Sequence, residues 1–361
     1  MDKNATLYYQ SAVALKLFPI LIDHIAGFEV RYGWRRYFFR GGETPFNYGS
    51  SLSIAKNKYC MNKVLQAAGL PVANIRALNK EEFHKENMAD LVQGLSFPLV
   101  VKPTQDTALG QDVLCNITSL EQLRASMIDR YKRHRFLSIE EFHGGLNSYR
   151  VLVFNHKIIG VVQRFPAAVV GDGIHSIEEL IVLHNKERKK FKKTVSLGAI
   201  KVDEEYKIRL KELNITLATI PKDKETIVLC YTCNSTRGGT MKSLGKQICK
   251  ENARMLCKAS KALNLTIVGF DVACEDILIP IEKSRGIIIE ANYNPDITIH
   301  EKPMSGTPNQ VSKVILKKLI VKHPFAYLYG LYQNMVNPFY IKALLIAAGF
   351  LSYKLFFLKG L

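Results

Sequence analysis

Four short apolar runs, each interrupted or closed by a charged or amide side chain, limit what this chain can fold into. They are "PLVVKP" with Lys102, "FLSIEEF" with Glu140 and Glu141, "VGFDVA" with Asp271, and "IIIEANYN" with Glu290, Asn292 and Asn294. Runs of this length, rich in Ile and Val, read as buried strands rather than helices. Successive strand side chains point to opposite faces, so Glu290, Asn292 and Asn294 share one face. Taken singly, each polar residue is an ordinary strand end surfacing into a loop, as at Pro295. Taken together, they point to a cleft. Two carboxylates and an amide carbonyl on neighbouring strands are the hard oxygen ligands magnesium takes, with phosphate and water completing its sphere.

Between these runs lie helical segments. "NKYCMNKVLQAA" (57–68) has helix-forming composition, with Gly69 as a stop and Pro71 just beyond. Ser119 is an N-cap, with Gln122 three residues on, for a helix over 119–134. The stretch 243–265 places Leu244, Ile248, Met255, Ala259 and Leu263 on one helical face. "YRVLVFNHKIIGVVQRF" predicts a hairpin around Asn155–His156. Helices and strands mix without strict βαβ alternation, so the expected class is α+β. Residues 1–55 read as a cap of short strands and a helix. The turn, helix and basic run of "GDGIHSIEELIVLHNKERKKFKK" read together as a solvated excursion.

Composition narrows the partners. Among 361 residues, 50 Lys and Arg outweigh 32 Asp and Glu, a net charge of +18. That surplus favours an anionic partner: nucleotide, acidic substrate, nucleic acid or anionic lipid. Seven cysteines without a disulfide framework suggest reduced thiols in a cytoplasm. Cys230 and Cys233 have CxxC spacing, but no second Cys/His pair accompanies them. The N-terminus lacks the pattern of a signal peptide. Residues 324–361 form an apolar, aromatic tail punctuated by Lys342, Lys354 and Lys359. Its uninterrupted apolar stretch falls short of the ~20 residues of a spanning helix. A helix on the protein's own surface and an interfacial helix at an anionic membrane both fit it. "GGTMKSLGK" departs from GxxxxGK[ST], and GxGxxG after a strand, HExxH and GxSxG are all missing.

In order along the chain stand "NKVLQAAGLPV", "FPLVVKP…LGQDV", "IEEFHGG…YRVLVF", "QRFPAAVVGDGIHSIEELI", "NSTRGGT", "VGFDVA" and "IIIEANYNPDITIHEKPMSG". This series resembles the ATP-grasp ligases, in the branch of cyanophycin synthetase and bifunctional glutathione synthetase, from about Ser51 to Leu319. It does not extend to a Mur-ligase-like domain. The resemblance implies an ATP-grasp fold of two α+β subdomains clamping ATP, here 56–139 on the lid side and 140–323 with the metal site. It implies ATP and Mg²⁺, with Mn²⁺ able to substitute. Lys58 and Lys102 resemble the lysines that hold the ATP phosphates, and loop 104–113 with Gly110 resembles the lid over them. Glu140 and Glu141 fall where the family binds adenine. Asp271, Glu290 and Asn292 resemble the magnesium ligands. Arg150 and Arg164 resemble arginines near the phosphates and the substrate carboxylate. Asn234 and Arg237 fall in a substrate-side loop, with Arg237 where relatives often carry a small residue. His300 stands where relatives have a His that orders that loop. One departure is the acidic residue that relatives use for the ribose hydroxyls; Ser148 or Asn147 occupies its place.

The reaction so implied activates a carboxylate as an acyl phosphate and joins it to an amine, with small acidic amino acids or peptides as substrates. The alternative is a basic module that keeps the fold without turnover and holds nucleotide, membrane or nucleic acid through its charge; nucleic acid is the less expected partner. Self-association stays open.

Overall fold

Residues 1–85, 87–104, 112–191, 197–334 and 338–357 are described by a computed structural model. By their contacts they divide into a unit of Phe46–Val311 and a unit of Met1–Pro45 with Ser312–Leu361.

Numbering the strands of the two main sheets of the Phe46–Val311 unit in chain order, the first sheet holds β1 (Ile75–Asn79), β2 (Leu99–Pro103), β3 (Leu114–Ile117) and β4 (Phe136–Glu141), in the order β1-β4-β2-β3. The helix Leu120–Arg130 covers it, burying Leu123 and Met127 against Leu99, Val101, Leu137 and Ile139. Its start follows the sequence expectation: the Ser119 hydroxyl accepts from the Gln122 amide at 3.2 Å. The Gln122 side chain accepts in turn from the Thr118 amide at 3.0 Å, satisfying a second donor.

The second sheet adds β5 (Asn147–Phe154), β6 (Lys157–Phe165), β7 (Thr240–Leu244), β8 (Ile267–Cys274), β9 (Gly286–Asn292) and β10 (Ser305–Thr307), in the order β9-β8-β5-β6-β7-β10. Asn155 and His156 close the β5–β6 hairpin with φ of 50° and 57°. Positive φ at both central residues matches the strand twist, and Asn accepts that conformation at little cost. All eight residues of β8 are buried, Asp271 among them. The helices Lys58–Ala67 and Lys250–Ala262 pack on this sheet through Met61, Leu65, Leu256 and Ala259. The second helix starts later than its apolar spacing predicts. Leu244 belongs to β7, and Gly245 with φ of 63° turns the chain before Cys249 caps the helix. Leu244 and Ile248 still pack on the same core, which is why strand and helix share one apolar pattern.

Between β6 and β7 the chain inserts a small third core. A two-stranded ribbon, Ala168–Val170 with Thr226–Val228, carries the helices Ile177–Phe191 and Glu204–Glu212 around Ile177, Ile181, Tyr206 and Leu210. The basic run differs here from its solvated reading. Lys189 and Lys190 are exposed, but Arg188 is buried.

In the other unit, the helix Lys3–Ala14 meets an antiparallel sheet of Ile20–Ile22, Gly27–Tyr32 and Arg35–Phe39. Phe28 stacks on Phe39 with centroids 4.8 Å apart. The buried Glu29 carboxylate is paired to Arg31 and Arg36. The helices Pro324–Asn334 and Pro338–Phe357 follow. Every residue from 339 to 354 whose side chain is described is exposed. Among the described residues no helix is long and apolar enough to cross a membrane.

Phe270 lies fully buried in β8, so Phe270→Ala is expected to destabilise the protein by about 3–5 kcal/mol, read from the midpoint of urea denaturation.

Candidate active site

Register brings the sequence-singled residues together. In β8, Asp271 pairs with Arg150 of β5 on one side and with Glu290 of β9 on the other. The β8–β9 register slips after Asp271, so Ile289 has no partner and forms a bulge. Such a bulge twists the strand and redirects its side chains. Glu290, Asn292 and Asn294 all line one cleft of about 870 Å³, together with Lys58, Lys102, Glu140, Glu141, Ser148, Arg150, Arg164, Asn234 and Asp271.

Charge in the cleft is matched locally. The Arg150 Nε pairs with Asp271 Oδ1, and its Nη2 donates to Oδ2 at 3.2 Å. The Arg164 Nη1 reaches Oδ2 at 3.0 Å. Burial pushes the Asp271 carboxyl up, but the two guanidinium groups outweigh it and hold it below the usual range. Lys102 Nζ lies 2.7 Å from Glu140 Oε2, with both side chains nearly buried. Lys58, just inside a helix capped by Asn57, places its Nζ 3.6 Å from Glu290 Oε1. The Asn292 amide donates to the Gly269 carbonyl at 3.3 Å, which leaves its own carbonyl oxygen for another partner.

Three further placements sharpen the sequence reading. The Glu141 carboxylate accepts from Asn74 and from the Ser96 amide, at 3.1 and 3.0 Å. Between the two candidates for the ribose position, Ser148 faces the cleft, whereas the Asn147 side chain donates to the Glu275 carbonyl at 2.7 Å. The Ser148 hydroxyl is gripped by the Arg164 fork at 2.8 and 3.2 Å.

Arg237 and His300 are not among the lining residues, and Gly110 lies outside the described residues. The Arg237 Nη1 pairs with the buried Glu205 at 2.8 Å and its Nη2 with Asp203. His300 is fully buried, and neither ring nitrogen finds a hydrogen-bond partner among the described residues. Its ring lies against β6, where a Cβ on Gly160 would sit 2.5 Å from Nδ1. Burial, aided by the Arg150 charge, pushes the His300 pKa down to about 3.

Other lining residues lay beyond sequence reasoning. Asp296 follows Asn294 at the next alternate position, and its Oδ1 accepts from the Thr298 amide at 2.9 Å. Ile287 and Ile289 line the cleft rather than serving only as strand core, alongside Val100, Val113, Phe142 and Leu146. Tyr231, Thr232 and Cys233 contribute a wall that only the CxxC spacing marked. Burial pushes the Cys230 and Cys233 thiols up to about 11, which keeps them neutral near pH 7.

The chemistry of this set suits a magnesium–nucleoside triphosphate. Carboxylate and amide oxygens sit at adjacent register positions, four cations surround them, and an apolar wall stands beside them.

A scan against protein-family models finds no match. The chain is 30% identical over 296 residues to the cyanophycin synthetase of Crocosphaera subtropica, covering 80% of this chain and 33% of that protein. It is 27% identical over 291 residues to the glutathione biosynthesis bifunctional protein of Desulfotalea psychrophila, covering 80% and 37%. A solved bifunctional glutathione synthetase from Pasteurella multocida matches with a TM-score of 0.61 at 22% identity, covering 89% of this chain and 44% of that one. The chain has the ATP-grasp fold. This ATP-grasp chain spans about a third of the length of the curated relatives it matches.

The neutral His300 predicts a pH dependence of stability. Its folded pKa lies below the unfolded value of about 6.5, so the unfolded chain binds the proton first as pH falls. Stability is full above about pH 6.5 and declines toward pH 3. Of the loss between pH 7 and pH 5, His300→Leu is expected to abolish about 2 kcal/mol, measured by urea denaturation at the two pH values.

Proposed function

We propose that the chain is an ATP-dependent ligase. It joins the carboxylate of an amino acid or small peptide to an amine and releases ADP and phosphate. The observation that carries this reading is the meeting of Asp271, Glu290 and Asn292 with Lys58, Lys102, Arg150 and Arg164 in one cleft. Relatives named as synthetases support it.

In this reading Asp271, Glu290 and Asn292 would hold magnesium, which would supply charge neutralisation for the phosphates. Lys58 and Lys102 hold the phosphates, and Glu140 and Glu141 mark the adenine end, where Val100, Phe142 and Leu146 supply an apolar wall. Arg150 and Arg164 face the transferring phosphoryl group. The substrate carboxylate attacks the γ-phosphorus, the bond to the β-bridging oxygen breaks, and an acyl phosphate and ADP result. The amine, having lost its proton, then attacks the acyl carbon and expels phosphate. Charge spreads over the phosphoryl oxygens during transfer, so fixed cations at these positions lower the barrier by position and electrostatics. Ser148, occupied by Arg164, acts here as an anchor for that arginine rather than as a ribose acceptor. Arg237 and His300 act from behind the cleft wall. The surplus of positive charge suits acidic substrates.

Amine-dependent phosphate release from MgATP, screened over pairs of amino acids with mass spectrometry of the product, tests the activity. Asp271→Asn and Glu290→Gln are each expected to lower turnover by about 100-fold. Equal turnover in either variant would overturn the metal assignment. Absence of turnover, with salt-sensitive retention on anionic supports, would favour the non-catalytic basic module.

A second observation bears on location. The helix Pro338–Phe357 is apolar on all sides apart from the scattered Lys342, Ser352 and Lys354, and every residue from 339 to 354 whose side chain is described is exposed. A helix without a polar face suits a lipid phase better than a single groove, and Lys342 and Lys354 suit an anionic interface. The full chain is expected to sediment with vesicles containing phosphatidylserine, and a chain ending at Asn334 to remain in solution. Concentration-dependent association without sedimentation would assign the helix to self-association instead.

A further inference from the structure

The wall of the cleft formed by Tyr231–Thr236 belongs to neither main sheet; it is a loop between the inserted ribbon and β7. Two buried charged side chains, both carried by helices of the insert, hold it in place. From the helix Ile177–Phe191, Arg188 donates its Nε to the Gly198 carbonyl at 2.7 Å. Its Nη2 donates to the Ser235 and Gly239 carbonyls at 2.8 and 3.0 Å. Only 4% of Arg188 is exposed, and among the described residues no carboxylate pairs with it. Three carbonyl dipoles meet its Nε and Nη2 instead, while the buried Nη1 finds no hydrogen-bond partner among the described residues. From the helix Glu204–Glu212, Glu205 accepts the Tyr231 and Thr232 amides at 2.9 and 2.8 Å and the Thr232 hydroxyl at 3.0 Å. The other oxygen of Glu205 pairs with Arg237.

We propose that Arg188 and Glu205 are positioning residues that fix the 231–239 wall from outside the cleft, so that the insert sets which acceptor or donor substrate fits beside the nucleotide. This rests on the ligase reading above. A buried guanidinium that loses its carbonyls is left as an uncompensated charge, so the loop and the helix move together. The nucleotide end lies on the main sheets, with Lys58, Lys102 and Asp271, and none of these residues bonds to Arg188 or Glu205. Nucleotide binding and substrate fit are therefore separable. Gly198 marks how closely the two segments approach: a Cβ there would lie 1.7 Å from the Thr236 carbonyl oxygen.

The test compares the wild-type protein with Arg188→Met, Arg188→Lys, Gly198→Ala and, as a control on the same helix, the exposed Lys189→Met. Hydrogen exchange is expected to rise in 231–239 for Arg188→Met and Gly198→Ala while the amides of β5 and β8 keep their protection. Arg188→Lys reaches fewer carbonyls and is expected to fall between wild type and Arg188→Met. The dissociation constant for MgATP should stay within about twofold in all four. In the amine-dependent phosphate assay, Arg188→Met should lower kcat/KM for the substrate by about 100-fold, the cost of a misplacement near 1 Å, with the KM for ATP little changed. Unchanged exchange in 231–239, or parallel loss of ATP binding and substrate use, would overturn the proposal. Exchange is read on the protein alone, so lack of turnover in the wild type would sink the ligase reading without touching the clamp.

Discussion

A carboxylate in the middle of a fully buried strand costs several kcal/mol unless its charge is met on the spot. Asp271 is such a carboxylate, and the two guanidinium groups that meet it come from β5 and β6. Their forks reach it because β8 pairs with β5 in one register, and Glu290 stands across from it because β9 pairs with β8 in another. Shifting either strand by one residue would turn half of this set to the opposite face of the sheet. The apolar core behind β8, built on Phe270, Val272 and the two covering helices, therefore fixes the electrostatics in front of it.

The same solution recurs on a smaller scale. Lys102 is satisfied by Glu140 from the neighbouring strand of the first sheet. Arg188 is held by backbone carbonyls at Nε and Nη2, Glu205 by backbone amides together with Arg237. Lys102, Arg188 and Glu205 each find polar partners on another segment of the chain, and so tie those segments together. A basic chain of net charge +18 thus places several of its cations inside, as structural ties, while the exposed lysines supply the surface field. His300 is the counterexample, a buried titratable group that stays uncharged. With Gly160 close against its ring and no hydrogen-bond partner for either ring nitrogen among the described residues, the imidazole stays uncharged and acts as packing.

Much of the arrangement was legible in the order of residues. Ser119 and Gln122, Asn155–His156, and the Gly69–Pro71 stop are local signals, and each turned up where chain geometry requires it. The polar residues in short apolar runs, Lys102, Glu140, Asp271, Glu290 and Asn292, do converge on one cleft, because strands in one sheet carry like-facing residues to a common surface. Less legible were features that depend on packing at a distance. The start of the helix at Lys250 was hidden because Leu244, in a strand, and Ile248, in the turn after it, face the same core as the helix. The burial of Arg188 was hidden because a charge run looks the same whether its members meet water or carbonyl groups.

From the sequence alone follow the α+β class, the ATP-grasp resemblance and the identity of the oxygen donors and cations, since these depend on residue type and short-range spacing. The tertiary structure alone decides which cation meets which anion and that Ser148 rather than Asn147 faces the cleft. It also decides that Arg237 and His300 do not line the cleft, and that the insert grips the loop that forms one wall of it. The reason is physical. Propensity and periodicity act over one or two turns of chain, whereas hydrogen bonds to buried charges are chosen by strand register and by the close approach of segments tens to more than a hundred residues apart.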